Sequence, residues 1–294
     1  RVPLFFNSDV ILSKAIVDDS MEYLYRNGHH DECLFVHGGK GTLRTNFGSL
    51  GISQGDYAII PRGVIWQLDV KESLELLIAE TVGPIQTPDR YRNELGQLLE
   101  HAPYSERDLR TPILDSPILG GPIQVKVRLI QGIQSYEYQH HPFDVVGWDG
   151  YYYPWVFNVN DFMPITGKVH QPPPVHQVFE APGLVICNFV PRLFDYHPEA
   201  VPAPYAHSNV DSDEILYYVS GDFMSRKGME AGSITYHPAG LPHGPQPGKI
   251  EASLDLNEAN EIAIMIDTFK PLKITTNVIE IDDSHYPLSW LDNS

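Results

Sequence analysis

The sequence predicts an all-β protein made of two similar units, with few and short helices. Its 294 residues include 25 Pro and 23 Gly. Turn-forming residues, such as Gly55-Asp56 and Pro61-Arg62-Gly63, therefore interrupt apolar stretches that are only about four to eight residues long. The chain is long enough to bury two cores, and a pattern in its first half recurs in its second half.

The repeated pattern consists of a glutamate, a glycine seven residues later and a downstream turn. Glu32 is followed by Gly39 and then by residues 55–66, whereas Glu214 is followed by Gly221 and then by residues 232–243. Both copies fit the two cupin motifs, in which a strand glutamate precedes a glycine turn and a G-x5-P-x-G-x2-H turn follows. The sequence therefore predicts a bicupin, with two cupin (jelly-roll β-barrel) domains.

We assign residues 1–105 to the N-terminal cupin and residues 106–294 to the C-terminal cupin, and strands from the termini are allowed to cross between them. The only long helix is expected over residues 90–100. A proline-containing loop over residues 102–107 is expected to connect the two domains.

Composition restricts the class of partner. The formal net charge of −18 opposes binding to nucleic acid or to anionic lipid, and no apolar run approaches the roughly 18 to 20 residues of a membrane-spanning helix. No basic and apolar leader follows Arg1, and Cys33 and Cys187 lie in apolar stretches typical of reduced, buried thiols. We expect a soluble cytoplasmic protein that acts on a small molecule.

The two copies of the motif differ at one chemically decisive position. Trp66 stands where the second copy has His243, and an indole nitrogen is a hydrogen-bond donor that cannot bind a metal. The first cupin is therefore predicted to be metal-free and structural. In the second, His207, Asn209 and Glu214 fit the H-x-[HN]-x4-E motif, so His207, Glu214 and His243 are the predicted ligands. Two imidazoles and one carboxylate are typical of non-haem iron(II).

Two assignments within this motif have alternatives. Asp213 is the nearest rival to Glu214, and strand alternation lets only one of them face inward. The seven-residue step to Gly221 selects Glu214. Asn209 has three open interpretations, as a weak ligand, as a group bonded to a ligand, or as a turn residue.

Several further segments have a distinctive combined pattern: residues 23–27 (Tyr-Leu-Tyr-Arg-Asn), 47–48, 55–57, 61–63, 142–148 (Pro-Phe-Asp-Val-Val-Gly-Trp), 205–209 and 242–245 (Pro-His-Gly-Pro). With them the chain resembles the homogentisate 1,2-dioxygenase family between about residues 20 and 250. The resemblance implies iron(II), O2 and a small aromatic substrate, a dihydroxyphenylacetate whose ring is opened beside its side chain. It also implies a homo-oligomer built from trimers, either a trimer or a hexamer.

Carried over by position, the resemblance makes His207, Glu214 and His243 the iron ligands and His170 the acid/base residue near the substrate hydroxyl. His237 matches a histidine that bonds to the substrate or oxygen. From composition alone His170 is a loop residue, and other histidines have equal claims: His141, His176 and His197. Tyr205 and Asn209, on either side of His207, are assigned to the substrate site.

The chain departs from the family pattern around this site. Ser208 replaces an arginine, one extra residue separates His207 from Glu214, and Phe223 replaces a substrate-binding tyrosine. Arg226 replaces a lysine, and a guanidinium can clamp a carboxylate with two hydrogen bonds. The predicted substrate-binding residues are therefore His237, Arg226, Tyr205, Asn209 and Phe223, for homogentisate or a related para-diol acid.

Three other functions remain compatible with the sequence. The first is a hydroquinone-type dioxygenase of the same fold. The second is a cupin isomerase or hydrolase that uses manganese, zinc or nickel, since the same ligands accept several metals. The third is a binding or storage cupin, which would not need the complete ligand set of the second copy.

Overall fold

The computed structural model describes residues 1–168, 173–203 and 205–291, and strands make up most of its regular structure. The strands are β1 (Val2–Phe6), β2 (Val10–Val17), β3 (Leu24–Asn27), β4 (Asp31–Thr45), β5 (Gly48–Ser53), β6 (Asp56–Ile60), β7 (Trp66–Thr81), β8 (Ile123–Leu129), β9 (Gly132–Tyr138), β10 (Trp155–Asn158), β11 (Gln177–Ala181), β12 (Leu184–Phe189), β13 (Arg192–Leu193), β14 (Asp213–Gly221), β15 (Ile234–His237), β16 (Glu258–Ala259), β17 (Glu261–Thr268) and β18 (Lys273–Ile274). The all-β cupin class expected from the sequence is confirmed.

The helices are short. They are α1 (Lys249–Ser253), α2 (Thr276–Ile279) and the 3₁₀ helices Asp89–Tyr91, Glu106–Asp108, Val159–Asp161, Pro173–His176 and Tyr286–Leu288. None of the helices in the described ranges has the length and apolarity needed to cross a membrane.

The chain forms two compact units that are not separated by a single boundary at residue 105. The first unit comprises Arg1–Ile85 and Ser105–Asp161, and the second comprises Gln86–Tyr104 and Phe162–Ser294. Residues 105–161 belong to the first unit because their strands join its sheet: β8 pairs with β3, and β10 pairs with β6. These pairings join residues far apart along the chain, so local turn signals do not reveal them.

The first unit is built around two long antiparallel strands, β4 and β7. Its main sheet has the order β10-β6-β4-β7-β2-β1, and β3, β5, β8 and β9 extend it. Leu34, Val36, Leu74, Leu76 and Ile78 on the two long strands belong to one buried cluster. Burying a side chain of this size contributes about 1.5 to 3 kcal/mol, so the cluster stabilises the pairing of β4 with β7.

The second unit contains a five-stranded antiparallel sheet of order β11-β12-β17-β14-β15 and a small pair, β13-β16. In the sheet, β14 lies between β15 and β17, which places its side chains against neighbours on both sides. Alternate residues of β14 and β17 face one cavity, and the candidate site lies at one end of this face.

The glycine of the repeated motif has the same role in both units. Gly39 and Gly221 have φ values of +85° and +97°, a region that favours glycine. A Cβ at Gly39 would lie 1.9 Å from the Ser73 carbonyl oxygen, and one at Gly221 would lie 2.0 Å from that of Asn260. Each glycine, seven residues beyond the motif glutamate, therefore permits a tight approach to a neighbouring backbone segment.

The helix expected over residues 90–100 is wrong. Only Asp89–Tyr91 forms a 3₁₀ turn, after which Arg92 pairs with Leu98 as an antiparallel bridge. The Asn93 side chain accepts hydrogen bonds from the backbone N–H groups of Leu95 and Gln97, and Gly96 has a φ of +83°. Bonds of an Asn side chain to nearby backbone compete with helical bonds, so this segment reverses direction instead.

Candidate metal centre

The register of the central sheet determines what surrounds Glu214. On β14 this residue lies opposite His237 of β15 and opposite Asp267 of β17. Side chains of directly opposed residues project from the same face of a sheet. Glu214 therefore has a histidine on one side and a second carboxylate on the other.

His207 and His243 come from two loops that are joined by a two-residue bridge. The backbone N–H of each donates to the carbonyl oxygen of the other, and both N···O distances are 2.8 Å. The centres of the two imidazole rings are 4.5 Å apart. The bridge thus holds the rings together beside Glu214, although the two residues are distant in the sequence.

The three predicted ligands form a cluster that can hold a metal ion. One donor atom from each of His207, Glu214 and His243 lies within 4.8 Å of the other two. The Nδ1 atoms of His207 and His243 are 3.1 and 2.9 Å from the carbonyl oxygens of Tyr205 and Leu241. A carbonyl oxygen only accepts hydrogen bonds, so each Nδ1 carries a proton and each Nε2 keeps its lone pair for a metal.

The electrostatics of the cluster favour a cation between its donors. The Nε2 atom of His243 is buried, lies 3.4 Å from Glu214 Oε1 and has no hydrogen-bond partner in the described ranges. Burial lowers the pKa of His243, but its contacts with Glu214 and the Leu241 carbonyl outweigh burial and raise it. No lysine or arginine of the described residues forms an ion pair with Glu214, so a metal ion fits the donor set.

Two neighbouring side chains hold the Glu214 carboxylate. His237 Nδ1 lies 2.8 Å from Oε1, and Asn209 Nδ2 donates to Oε2 at 3.0 Å. Burial raises the pKa of Glu214, but its contacts with His237 and His243 lower it well below its usual range. The hydrogen bond from Asn209 to Glu214 agrees with one of the three interpretations of Asn209, that of a group bonded to a ligand.

Asp213, the rival of Glu214, has a different set of partners. Its Oδ2 accepts hydrogen bonds from the Tyr236 hydroxyl at 2.8 Å and the Leu272 N–H at 2.7 Å, and its Oδ1 accepts one from the Ala239 N–H at 2.8 Å. These bonds tie together three segments of the second unit. Asp213 therefore has a structural role on the face of β14 opposite to Glu214.

Asp267 is a site residue that the sequence motifs did not reveal. It lines the same cavity as the cluster, and its Oδ1 is buried without a hydrogen-bond partner within the described chain. Burial and the nearby charge of Glu214 raise the pKa of Asp267 to about 7. The signal that could have identified it is a carboxylate in the otherwise apolar stretch that begins at Ala263.

The cluster forms part of the wall of a cavity of about 990 Å³ within the second unit. Of the predicted substrate-binding residues, Tyr205, Asn209 and Arg226 line it. Tyr205 is 56% exposed, and its ring centre is 5.7 Å from that of His207. A substrate in this cavity would therefore meet the cluster and these three side chains.

The other two predicted substrate residues are not among the described residues that line the cavity. Phe223 is buried against the ring of Tyr218, with ring centres 4.8 Å apart. His237 lies behind Glu214, where its Nε2 is 3.4 Å from the Tyr286 hydroxyl. The contacts that the structure gives these two side chains are with other residues of the protein, and their assignment to the substrate site stays a prediction from the sequence.

His170, the histidine expected to act as the acid/base residue, lies outside the described residues. Of its rivals from composition, His176 and His197 line the cavity, whereas His141 belongs to the first unit and packs against Phe143.

Arg226 lies at the end of the cavity that holds the cluster. Its Nη1 donates to the carbonyl oxygen of Gly244 at 2.6 Å, next to His243, and its Nε donates to the Tyr286 hydroxyl at 3.2 Å. Its guanidinium also lies 5.4 Å from the centre of the Trp290 ring. Tyr286 and Trp290 belong to no motif, and their contribution appears only when the C-terminal segment is placed.

In the first unit, a cationic side chain occupies the position that is equivalent to the metal cluster. Glu32 lies opposite Glu80 in the sheet, as Glu214 lies opposite Asp267. Arg1 Nη1 is 2.5 Å from Glu32 Oε1, and Trp66 Nε1 donates to Glu32 Oε2 at 3.1 Å. The guanidinium of Arg1 also lies over the rings of Tyr25 and Trp66. Both carboxylate oxygens of Glu32 therefore have an ion-pair or hydrogen-bond partner within the protein.

Comparison with known proteins places the chain in a family. Residues 10–159 match the family model "Homogentisate 1,2-dioxygenase N-terminal". The chain is 46% identical to "Putative dioxygenase SSO1533" of Saccharolobus solfataricus over 99% of its own length and 76% of that protein. It is 29% identical to homogentisate 1,2-dioxygenase of Legionella pneumophila, over 85% of the chain and 62% of that enzyme.

A similar relation holds for homogentisate 1,2-dioxygenase of Pseudomonas entomophila, with 25% identity over 89% of the chain and 63% of that enzyme. The chain thus spans less than two thirds of the length of these two enzymes. The match to the Saccharolobus protein extends over both units, including the part with the His-Glu-His cluster. Sequence and structure together establish that this chain is a member of the homogentisate 1,2-dioxygenase family.

Proposed function

We propose that the protein is an iron(II)-dependent dioxygenase that opens the ring of homogentisate or a similar para-dihydroxy aromatic acid with O2. The observation that carries the proposal is the cluster of His207, Glu214 and His243 at the wall of a cavity, in a member of this family. Two imidazoles and one carboxylate leave coordination positions for a substrate oxygen and for O2. When bound, iron(II) supplies a Lewis acid and a redox partner for oxygen.

The residues around the cluster prepare it for this chemistry. The carbonyl oxygens of Tyr205 and Leu241 orient the imidazoles, and the lowered pKa of Glu214 keeps its carboxylate charged. The apolar part of the cavity wall, which includes Leu216 and Met265, accommodates an aromatic ring and excludes water from it. The role of His170 as the group that takes the phenolic proton stays a prediction from the sequence.

Oxygen consumption tests the proposed reaction. Iron-loaded protein should consume O2 when homogentisate or another para-dihydroxy aromatic acid is added, and the absorbance of the aromatic ring should be lost in parallel. Turnover without O2 uptake, in the presence of manganese, zinc or nickel, would instead identify an isomerase or hydrolase. Tight binding of the diols with no turnover under any metal would identify a binding protein.

A hydroquinone-type dioxygenase is the second candidate, and a specific observation favours it. Phe223 replaces the family's polar side chain and packs against Tyr218, while Arg226 is bonded to Gly244 and Tyr286. The cluster end of the cavity therefore offers a substrate carboxylate fewer free donors than the family pattern implies. A larger kcat/KM for an uncharged para-diol than for homogentisate would favour this candidate.

We expect about one iron per chain. The first unit cannot add a second site, because Trp66 replaces the ligand histidine and Arg1 already neutralises Glu32. Metal analysis of protein loaded with excess iron(II) and then desalted measures the ratio. A ratio near two, unchanged when His243 is replaced by alanine, would contradict the assignment of the metal to the second unit.

His237 is expected to act on the metal through Glu214. Replacing His237 with alanine removes the bond to Oε1, and loss of a side chain that orients a ligand typically lowers metal affinity by about ten- to hundredfold. Titration with iron(II) under argon measures this change. His237→Gln, which retains an N–H donor, should lose less, and equal affinity of His237→Ala and the wild type would rule out the role.

A further inference from the structure

The cavity of the second unit extends along β17. Every second residue of this strand lines it, in the order Asp267, Met265, Ala263 and Glu261. Since Glu214 pairs with Asp267, the cluster lies at the Asp267 end. At about 3.3 Å per residue, the Cα atoms of Asp267 and Glu261 are roughly 20 Å apart. The cavity is therefore much longer than one aromatic ring with a carboxymethyl group.

The middle of this cavity is apolar. Between its ends the lining residues on the three central strands are Leu216, Tyr218, Met265, Ala263 and Phe189. The register pairs Leu216 with Met265 and Tyr218 with Ala263, and it pairs Phe189 with Ala263 from the other side. A continuous wall of this kind favours a ring or hydrocarbon chain over a polar group.

A second arginine, Arg192, lies at the Glu261 end of the cavity. The side chain of Arg192 is only 16% exposed, and its Nη2 lies 3.8 Å from Glu261 Oε1, which is too long for a hydrogen bond. Its Nη1 donates to the Val190 carbonyl oxygen at 3.2 Å, and the guanidinium lies 5.5 Å from the centre of the Phe189 ring.

A guanidinium has five N–H donors, and within the described ranges the bond to Val190 is the only hydrogen bond that Arg192 makes. Several donors thus remain for oxygen atoms of a ligand. Burial raises the pKa of Glu261, whereas the charge of Arg192 lowers it. Asp195 also lines the cavity, and like Glu261 it raises the pKa of Arg192 against the effect of burial.

Arg226 and Arg192 lie at different places along the cavity wall. Arg226 is bonded to Gly244, next to His243, whereas Arg192 lies beside Glu261. Because Arg226 is bonded beside His243, a carboxymethyl group on a ring bound at the cluster would lie closer to Arg226 than to Arg192. A carboxylate must be carried by a longer chain to contact Arg192.

We propose that Arg192 and the apolar wall form a subsite for an anionic group at the end of an extended apolar side chain. The substrate class that this subsite selects is a para-dihydroxy aromatic compound whose carboxylate is separated from the ring by a long hydrocarbon chain. The ring chemistry in this statement rests on the proposed dioxygenase function. The subsite itself rests on the cavity and on Arg192.

Binding without turnover tests the subsite. Isothermal titration of the full iron-loaded chain under argon would use phenyloctanoate, the neutral phenyloctanol and the short acid phenylacetate, none of which carries a ring hydroxyl. Wild type should bind phenyloctanoate more tightly than either of the others. Arg192→Gln should weaken phenyloctanoate binding by roughly ten- to hundredfold, the value of a charge-assisted bond, and leave phenyloctanol unchanged.

Two further variants make the result specific. Arg192→Lys keeps the charge but loses the two-pronged geometry, so its loss should be smaller than that of Arg192→Gln. It also serves as the test variant if Arg192→Gln does not fold. Arg90→Gln removes an exposed arginine of the same unit that is not among the described residues lining the cavity, and it should leave the preference for phenyloctanoate over phenyloctanol intact.

The proposal is overturned if phenyloctanoate binds equally well to wild type and to the folded Arg192 variants. Such a result would mean that the carboxylate binds the metal or Arg226 instead. Because no ring is opened in these titrations, their outcome is independent of the oxygen-uptake assay. Failure of the proposed function would therefore not be mistaken for failure of the subsite.

Discussion

Replacing His243 with alanine should abolish the proposed iron binding and the proposed ring cleavage while the second unit stays folded. One imidazole and one carboxylate remain, which is too few protein ligands for a non-haem iron(II) site. The backbone bridge between residues 207 and 243 does not involve the side chain and should persist. Iron content after desalting should fall to background, and kcat/KM should fall by more than about a hundredfold.

His101→Ala is the matched control for this experiment. His101 is an exposed histidine of the same unit, so the variant loses the same side chain without a contact to the cluster. Iron content should then equal that of the wild type. If His243→Ala retained full iron and normal turnover with an intact circular dichroism spectrum, the ligand assignment would be wrong.

Replacing Arg1 with methionine should destabilise the first unit by roughly 3 to 5 kcal/mol, the typical cost of removing one partner from a buried ion pair. The side chain of Arg1 is 23% exposed, whereas those of Glu32 and Glu80 are 1% exposed. Without the guanidinium, the indole N–H of Trp66 is the one hydrogen-bond donor that the described residues still offer to Glu32. Denaturant unfolding followed by fluorescence measures the change in the free energy of unfolding.

Lys40→Met is the control, because the ion pair of Lys40 with Glu72 is exposed at 53% and 58% and should contribute at most about 1 kcal/mol. The Glu32→Gln change in the Arg1→Met background should recover part of the loss, since it removes the uncompensated charge. If Arg1→Met and Lys40→Met unfolded at the same denaturant concentration, the guanidinium would not be the cation that neutralises Glu32.

The two units thus solve the same electrostatic problem in different ways. In each, a motif glutamate is buried opposite a second carboxylate, Glu80 in one and Asp267 in the other. Two carboxylates removed from water require a compensating cation. The first unit supplies Arg1 to Glu32 and Arg128 to Glu80, whereas we propose that the second binds iron.

The amino-acid sequence predicted the parts of the protein that depend on local spacing. The cupin class, the glycine turns at Gly39 and Gly221, and the set of His207, Glu214 and His243 all follow from short motifs. The backbone angles of a few neighbouring residues determine where a turn needs glycine and how the ligands are spaced. A short sequence motif contains all of these residues. The same motif shows that position 66 has Trp66 where a ligand histidine would stand.

Contacts between strands that are distant in sequence appeared only in the folded chain. Register placed His237 and Asp267 on either side of Glu214, and it assigned residues 105–161 to the first unit. Arg1 and Arg192 likewise gained their partners through long-range packing. No local pattern encodes such pairings, because they depend on which strands become neighbours and on the side-chain face that their alignment selects.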